Sequence, residues 1–142
     1  MGEVQQHIFC IVDDDDIYRK SLVRLLKSAG YSVQSFPSAK SFLDSVPIAC
    51  KTGLLILDLR MPGMDGFALQ KRLNELKSRF QIIFITADAQ PGDREHALQS
   101  GAMAFLQKPF QEQILFETID SALSRLTDED MNRDCNENEK EQ

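Results

Sequence analysis

Five short apolar runs interrupt an otherwise polar chain, and they constrain its fold more than any other feature. They span residues 7–12, 31–36, 54–57, 82–85 and 102–106, are rich in Ile, Leu, Val and Phe, and end at polar or turn-forming residues. Runs this continuous predict strands covered on both faces, as in a parallel sheet. Amphipathic segments lie between them. Over residues 17–29, Leu22, Leu25, Leu26 and Ala29 recur at spacings of three and four, the stripe of a helix packed on a sheet. Asp16 is placed to cap that helix and Gly30 to end it. Residues 38–46, 67–76 and 94–100 carry weaker versions. Residues 110–126 carry a longer one, with Ile114, Leu115, Ile119, Ala122, Leu123 and Leu126 on one side. The alternation predicts βαβαβαβαβα, which right-handed crossovers convert into a doubly wound α/β sandwich.

Length and charge divide the chain further. Its 142 residues suit one domain over 7–126, preceded by an extension at 1–6 and followed by an acidic linker or disordered tail at 127–142. After Leu126 seven acids face two bases, so the tail holds most of the net charge of −6. The nearly neutral body has no basic block, which argues against direct nucleic-acid contact. No stretch is apolar enough to predict a membrane span, and MGEVQQH lacks the layout of a signal peptide. Gln6 also breaks the myristoylation pattern. Cys10, Cys50 and Cys135 form no metal or disulfide array, so reduced thiols and a cytoplasmic location are expected.

In an open parallel sheet, ligands sit outside the carboxyl ends of the strands. The first apolar run ends in Asp13 and Asp14, the third in Asp58, the fourth in Thr86, and the fifth leads through Gln107 to Lys108. All the strongly polar groups thus fall on one rim. Clustered carboxylates repel by roughly 1–4 kcal/mol per pair at effective dielectrics between water and a protein surface. A hard dication offsets that repulsion, and Mg²⁺ takes one or two carboxylates together with waters and a phosphate. Lys108 adds an ammonium for an anionic phosphoryl oxygen, Thr86 a hydroxyl for a second, and Asp58 a nucleophile able to form an aspartyl-phosphate. Two residues past Asp58 and Thr86 stand Arg60 and Asp88. Both should flank the mouth of the site, where an ion pair between them would restrict hydrolytic water.

The segments IVDDDDIYRKSLVRLLKSAGYSV, LLILDLRMPGMDG, IIFITADA and AFLQKPF resemble a two-component response-regulator receiver domain over about residues 7–125. DLRMPGMDG and QKPF further resemble the FixJ-like (NarL/FixJ) subgroup of transcription factors, which carry a C-terminal helix-turn-helix. The resemblance implies a flavodoxin-like (βα)5 fold with strand order 2-1-3-4-5. It implies Asp58 as phosphoacceptor, with Lys108 and Thr86 as catalytic partners. Mg²⁺ would be held by Asp14, Asp58 and the backbone carbonyl of Arg60, with Asp13 acting through a coordinated water. Thr86 and Phe105 would form a switch pair in which Phe105 rotates inward, and the Lys108–Pro109 peptide would be cis. A sensor histidine kinase would donate the phosphoryl group, and residues 90–126 would pair two phosphorylated copies, with Ala102, Met103 and Phe105 contributing apolar surface.

Each residue also has a plainer reading. An acidic run is usually a solvated face, which suits Asp15 and Asp16 better than Asp13 and Asp14. A lone Asp58 would be a turn residue, a lone Thr86 a structural hydroxyl, a lone Lys108 a surface charge and a lone Phe105 core; the combination carries the weight. His7 and His96 lack a partner pattern. Two other functions compete: a stand-alone phosphorelay carrier, and a Mg²⁺-dependent phosphatase using Asp58. The latter lacks a second Asp two residues on, where Arg60 stands.

Overall fold

The computed structural model describes residues 7–48 and 51–133, and their side chains as far as Leu126. Five strands alternate with five helices: β1 (Ile8–Val12), α1 (Asp16–Ser28), β2 (Gln34–Phe36), α2 (Ala39–Ser45), β3 (Thr52–Asp58), α3 (Gly66–Glu75), β4 (Arg79–Thr86), α4 (Asp93–Gln99), β5 (Ala104–Gln107) and α5 (Glu112–Arg133). All strand pairs are parallel, in the order β2-β1-β3-β4-β5. This is the expected flavodoxin-like arrangement.

The continuity of the apolar runs has a direct cause. Cys10 and Val12 of β1, with Leu55 and Leu57 of β3, pack against Phe42 of α2, Leu69 and Leu73 of α3 and Ala97 of α4. The alternate residues Phe9, Ile11, Leu54 and Ile56 pack with Leu22 and Leu26 of α1 and Leu115, Ile119, Ala122 and Leu126 of α5. Both faces of the central strands are therefore dry. Cys10 is a fully buried member of the core, as expected of a small hydrophobe; Cys50 and Cys135 lie outside the described residues.

Several expectations need revision. Asp15, not Asp16, caps α1, accepting the Tyr18 amide at 3.1 Å. Asp16 is instead the first helical residue and pairs with Arg19 at 2.7 Å. Ala29 and Ile114 are exposed rather than core: Ala29 is the C-cap at the end of α1, and Ile114 lies off the arc of α5 that faces the sheet. The edge strand β2 is shorter than its apolar run, since it has a neighbour only in β1; Tyr31 and Val33 pack as loop residues. Helix α5 continues to Arg133, past Thr127, where the linker or tail was expected to begin. The rest of the tail and the extension at 1–6 lie outside the described residues.

Candidate functional site

Strand register builds the rim. Val12 pairs with Leu57, so the next residues of β1 and β3, Asp13 and Asp58, lie side by side at the carboxyl ends. Asp58 pairs with Ile85 and Thr86 with Gln107, which brings Thr86 and Lys108 to the same edge. The Lys108 amide donates to the Thr86 carbonyl at 2.7 Å, and the Lys108–Pro109 peptide is cis. The site lies where the strand order reverses, between β1 and β3, the position at which such sheets bind ligands.

Asp13, Asp14 and Asp58 each bring a carboxylate oxygen within 4.8 Å of the others. Asp13 is fully buried, Asp58 nearly so, and Asp14 exposed. Asp13 accepts the Asp15 amide at 2.9 Å and the Lys108 ammonium at 3.1 Å, so both of its oxygens already have one donor. Burial, reinforced by the charge of Asp13, pushes the Asp58 carboxyl up to about 7; Lys108 opposes the shift and a hydrogen bond with Asp14 adds to it. Three hard oxygen donors with an opening at Asp14 fit a magnesium ion, which keeps several waters and needs few protein ligands. Thr86 is fully buried and its hydroxyl accepts the Asp88 amide at 3.1 Å. Its own proton remains available to an acceptor on the rim.

One expectation fails at the mouth. Arg60 does not pair with the Asp88 carboxylate. Its guanidinium pairs with Asp93, the first residue of α4, and its Nε donates to the Asp88 carbonyl at 3.5 Å. The Asp88 carboxylate instead accepts the Gln90 side-chain amide at 3.2 Å. Asp93 wins because the same oxygen also accepts the Gln90 backbone amide at 2.8 Å, fixing it toward Arg60. Phe105 and Ala102 are core rather than surface. The Phe105 ring already faces inward, 6.4 Å from Phe84 between centroids, with the Arg94 guanidinium 5.7 Å from its own centroid.

Sequence reading passed over three neighbours of the site. Arg19 is buried in the first turns of α1 and donates to the Asp13 carbonyl at 2.7 Å. Asp93 holds Arg60. Tyr18 lies under the Lys108 ammonium, 3.8 Å from Nζ to the ring centroid. An aromatic one turn after an acidic run was the available signal for Tyr18; Asp93 had none. His7 meets the Thr52 hydroxyl at 2.8 Å, far from the rim, and His96 packs edge-on against Phe67 on the exposed side of α4.

The doubly wound sheet and its acidic rim define a receiver-type domain. The chain belongs to the response regulator receiver domain family, whose model matches residues 9–120. It is similar to the transcriptional regulatory protein FixJ of Bradyrhizobium diazoefficiens, at 40% identity over 117 residues, covering 82% of this chain and 56% of that one. It is also similar to TdiR of Thauera aromatica, at 42% over 116 residues, covering 80% and 50%. Among solved structures, the response regulator StyR superposes with a TM-score of 0.84 at 36% identity, covering 94% of this chain and 67% of that one. FixJ-N superposes with a TM-score of 0.75 at 36% identity, covering 84% and 94%. The chain spans about half the length of the curated relatives it matches. Among the described residues, no helix is long and apolar enough to cross a membrane.

Proposed function

We propose that the chain is the phosphorylated switch of a two-component system: Asp58 accepts a phosphoryl group from a histidine kinase, and the product dimerises to control transcription through a C-terminal helix-turn-helix of a longer protein. The observation that carries this reading is the single rim on which three carboxylates within 4.8 Å meet a lysine ammonium 3.1 Å from Asp13. The likeness to regulators about twice as long supports the output half of the proposal. Asp14, Asp58 and the Arg60 carbonyl would hold Mg²⁺, with Asp13 one water removed. Bound there, the ion supplies positive charge for the carboxylates and for the phosphoryl oxygens. An Asp58 oxygen attacks phosphorus as the bond to the donor breaks, and Lys108 and Thr86 each take a phosphoryl oxygen. Phosphoryl transfer of this loose kind asks for positioning and charge rather than an acid or base, and no histidine stands on the rim.

Thr86 and Phe105 act as the switch pair in this reading, with the phosphorylated state holding the Phe105 ring in the inward place it already occupies. Arg60 and Asp88 modulate access at the mouth. The pairing face lies within residues 90–126, where Leu98 and Ile114 are the large apolar side chains left exposed among the described residues. The domain spans residues 7–126, residues 127–142 serve as an acidic linker, and the protein is cytoplasmic.

Incubation with Mg²⁺ and acetyl phosphate, followed by intact mass and sedimentation, tests the reading. One added phosphoryl group in wild type, none in Asp58→Asn, and a shift toward dimer are expected. Mass gain without dimer would favour a phosphorelay carrier, multiple turnover of a phosphomonoester would favour a phosphatase, and the absence of both mass gain and turnover would defeat all three.

A further inference from the structure

Lys108 is held by more than its acidic partner. Its ammonium sits 3.1 Å from Asp13 Oδ2 and 3.8 Å from the centroid of the Tyr18 ring, in a side chain only 13% exposed. Tyr18 is itself fixed, because its amide donates to the capping carboxylate of Asp15 at 3.1 Å and its body packs on the Phe9–Ile11 side of the core. Burial first, then the charges of Asp13 and Asp58, push the Tyr18 phenol up to about 12, so the ring stays neutral.

A lysine is a compact charge on a flexible four-carbon stem, and one carboxylate leaves that stem many ways to lie. An aromatic face attracts the ammonium without bringing a second full negative charge. A second carboxylate would repel an incoming phosphoryl group; a ring does not. We propose that Tyr18 is a positioning residue, whose ring face holds the Lys108 ammonium at the Asp13–Asp58 rim in readiness for the phosphoryl oxygen. This rests on the reading of Lys108 as a phosphoryl ligand.

The test compares Tyr18→Phe, which keeps the ring, with Tyr18→Leu, which keeps only apolar bulk. With acetyl phosphate and saturating Mg²⁺, Tyr18→Phe should phosphorylate within about twofold of wild type. Tyr18→Leu should be about 5–10-fold slower, the scale of one cation–π contact, with Mg²⁺ affinity unchanged. In a Lys108→Met background the Leu substitution should add nothing. A readout independent of phosphorylation is the upfield ring-current shift of the Lys108 ε-methylene protons, expected in wild type and Tyr18→Phe and absent in Tyr18→Leu. Should Tyr18→Leu fail to fold, Tyr18→pentafluorophenylalanine keeps the ring's shape while removing its negative face, and should be as slow. A Tyr18→Leu protein as fast as wild type, or equally slowed with and without Lys108, would overturn the proposal. A Lys108→Met protein as fast as wild type would overturn the reading of Lys108 itself, and the proposal with it.

Discussion

Asp58 is a carboxyl group placed where ionisation is costly: buried, beside Asp13, with Lys108 as partial relief. Raising its folded-state value from 3.8 to about 7 means that the folded protein holds this proton more tightly than the unfolded chain. The associated stability is full below pH ~4 and is lost as pH rises through about 7. Asp58→Asn removes the penalty. Without added metal at pH 8, its urea unfolding should therefore show a gain of about 1–4 kcal/mol over wild type, shrinking toward zero at pH 4. Lys108→Met should move the other way, losing about 3 kcal/mol at pH 8, since it strips the buried Asp13 of its cation. A Lys108→Met protein as stable as wild type at that pH would show that the Asp13–Lys108 pair is not a structural contact. These residues were legible in the sequence because each ends a strand. The Arg60 partner was not, because counting two residues past a strand end does not say which carboxylate a long guanidinium stem will reach.

Among the elements, helix α3 shows how tightly the backbone is drawn up to the site. A Cβ on Gly66 would stand 2.8 Å from the Asp58 carbonyl oxygen and 2.8 Å from the Phe84 ring. Gly53, on β3, is tighter still, with the Ile8 carbonyl oxygen 2.2 Å from where its Cβ would lie. Gly53→Ala should lose about 3 kcal/mol or more in thermal or urea melts, because strand backbones cannot part without breaking the ladder. Gly66→Ala should lose about 1–3 kcal/mol and also slow phosphorylation, since the group that must yield is the backbone of Asp58 itself. An unchanged rate in a folded Gly66→Ala protein would show that Asp58 is not sensitive to this contact. Asp15→Ala should cost about 1 kcal/mol as a lost cap, with Asp16→Ala costing less. Strands and helices were readable from periodicity, as the two-sided burial of β1 and β3 explains. The cap slipped by one residue because four consecutive aspartates offer equivalent candidates, and only backbone geometry at Asp15 separates them. Phe105 and Ala102 stayed open between core and interface for a related reason: an apolar residue on or just before a short strand suits either until its neighbours are known.

Across the whole molecule, α4 is fastened unequally. The buried Gln70 side chain donates to the Ala97 carbonyl at 3.1 Å, and Asn74 donates to the Ser100 carbonyl at 2.9 Å, both from α3 and both to the carboxyl end of α4. At the amino end the capping position is Gly92, with no side-chain cap, and the hydrogen-bonding side-chain ties among the described residues are those of Asp93 to Gln90 and Arg60, beside the Arg94–Phe105 stack. Arg60→Ala should speed hydrogen exchange across residues 90–96 several-fold and leave 97–101 nearly unchanged, whereas Gln70→Ala should loosen the far end. Equal protection at both ends in Arg60→Ala would refute the asymmetry. The element is thus hung like a door, with two amide hinges on the α3 side and the Arg60–Asp93 ion pair as a latch. That latch grows from the loop two residues beyond Asp58, so whatever draws Arg60 toward the rim unfastens the free edge while the hinge stays shut.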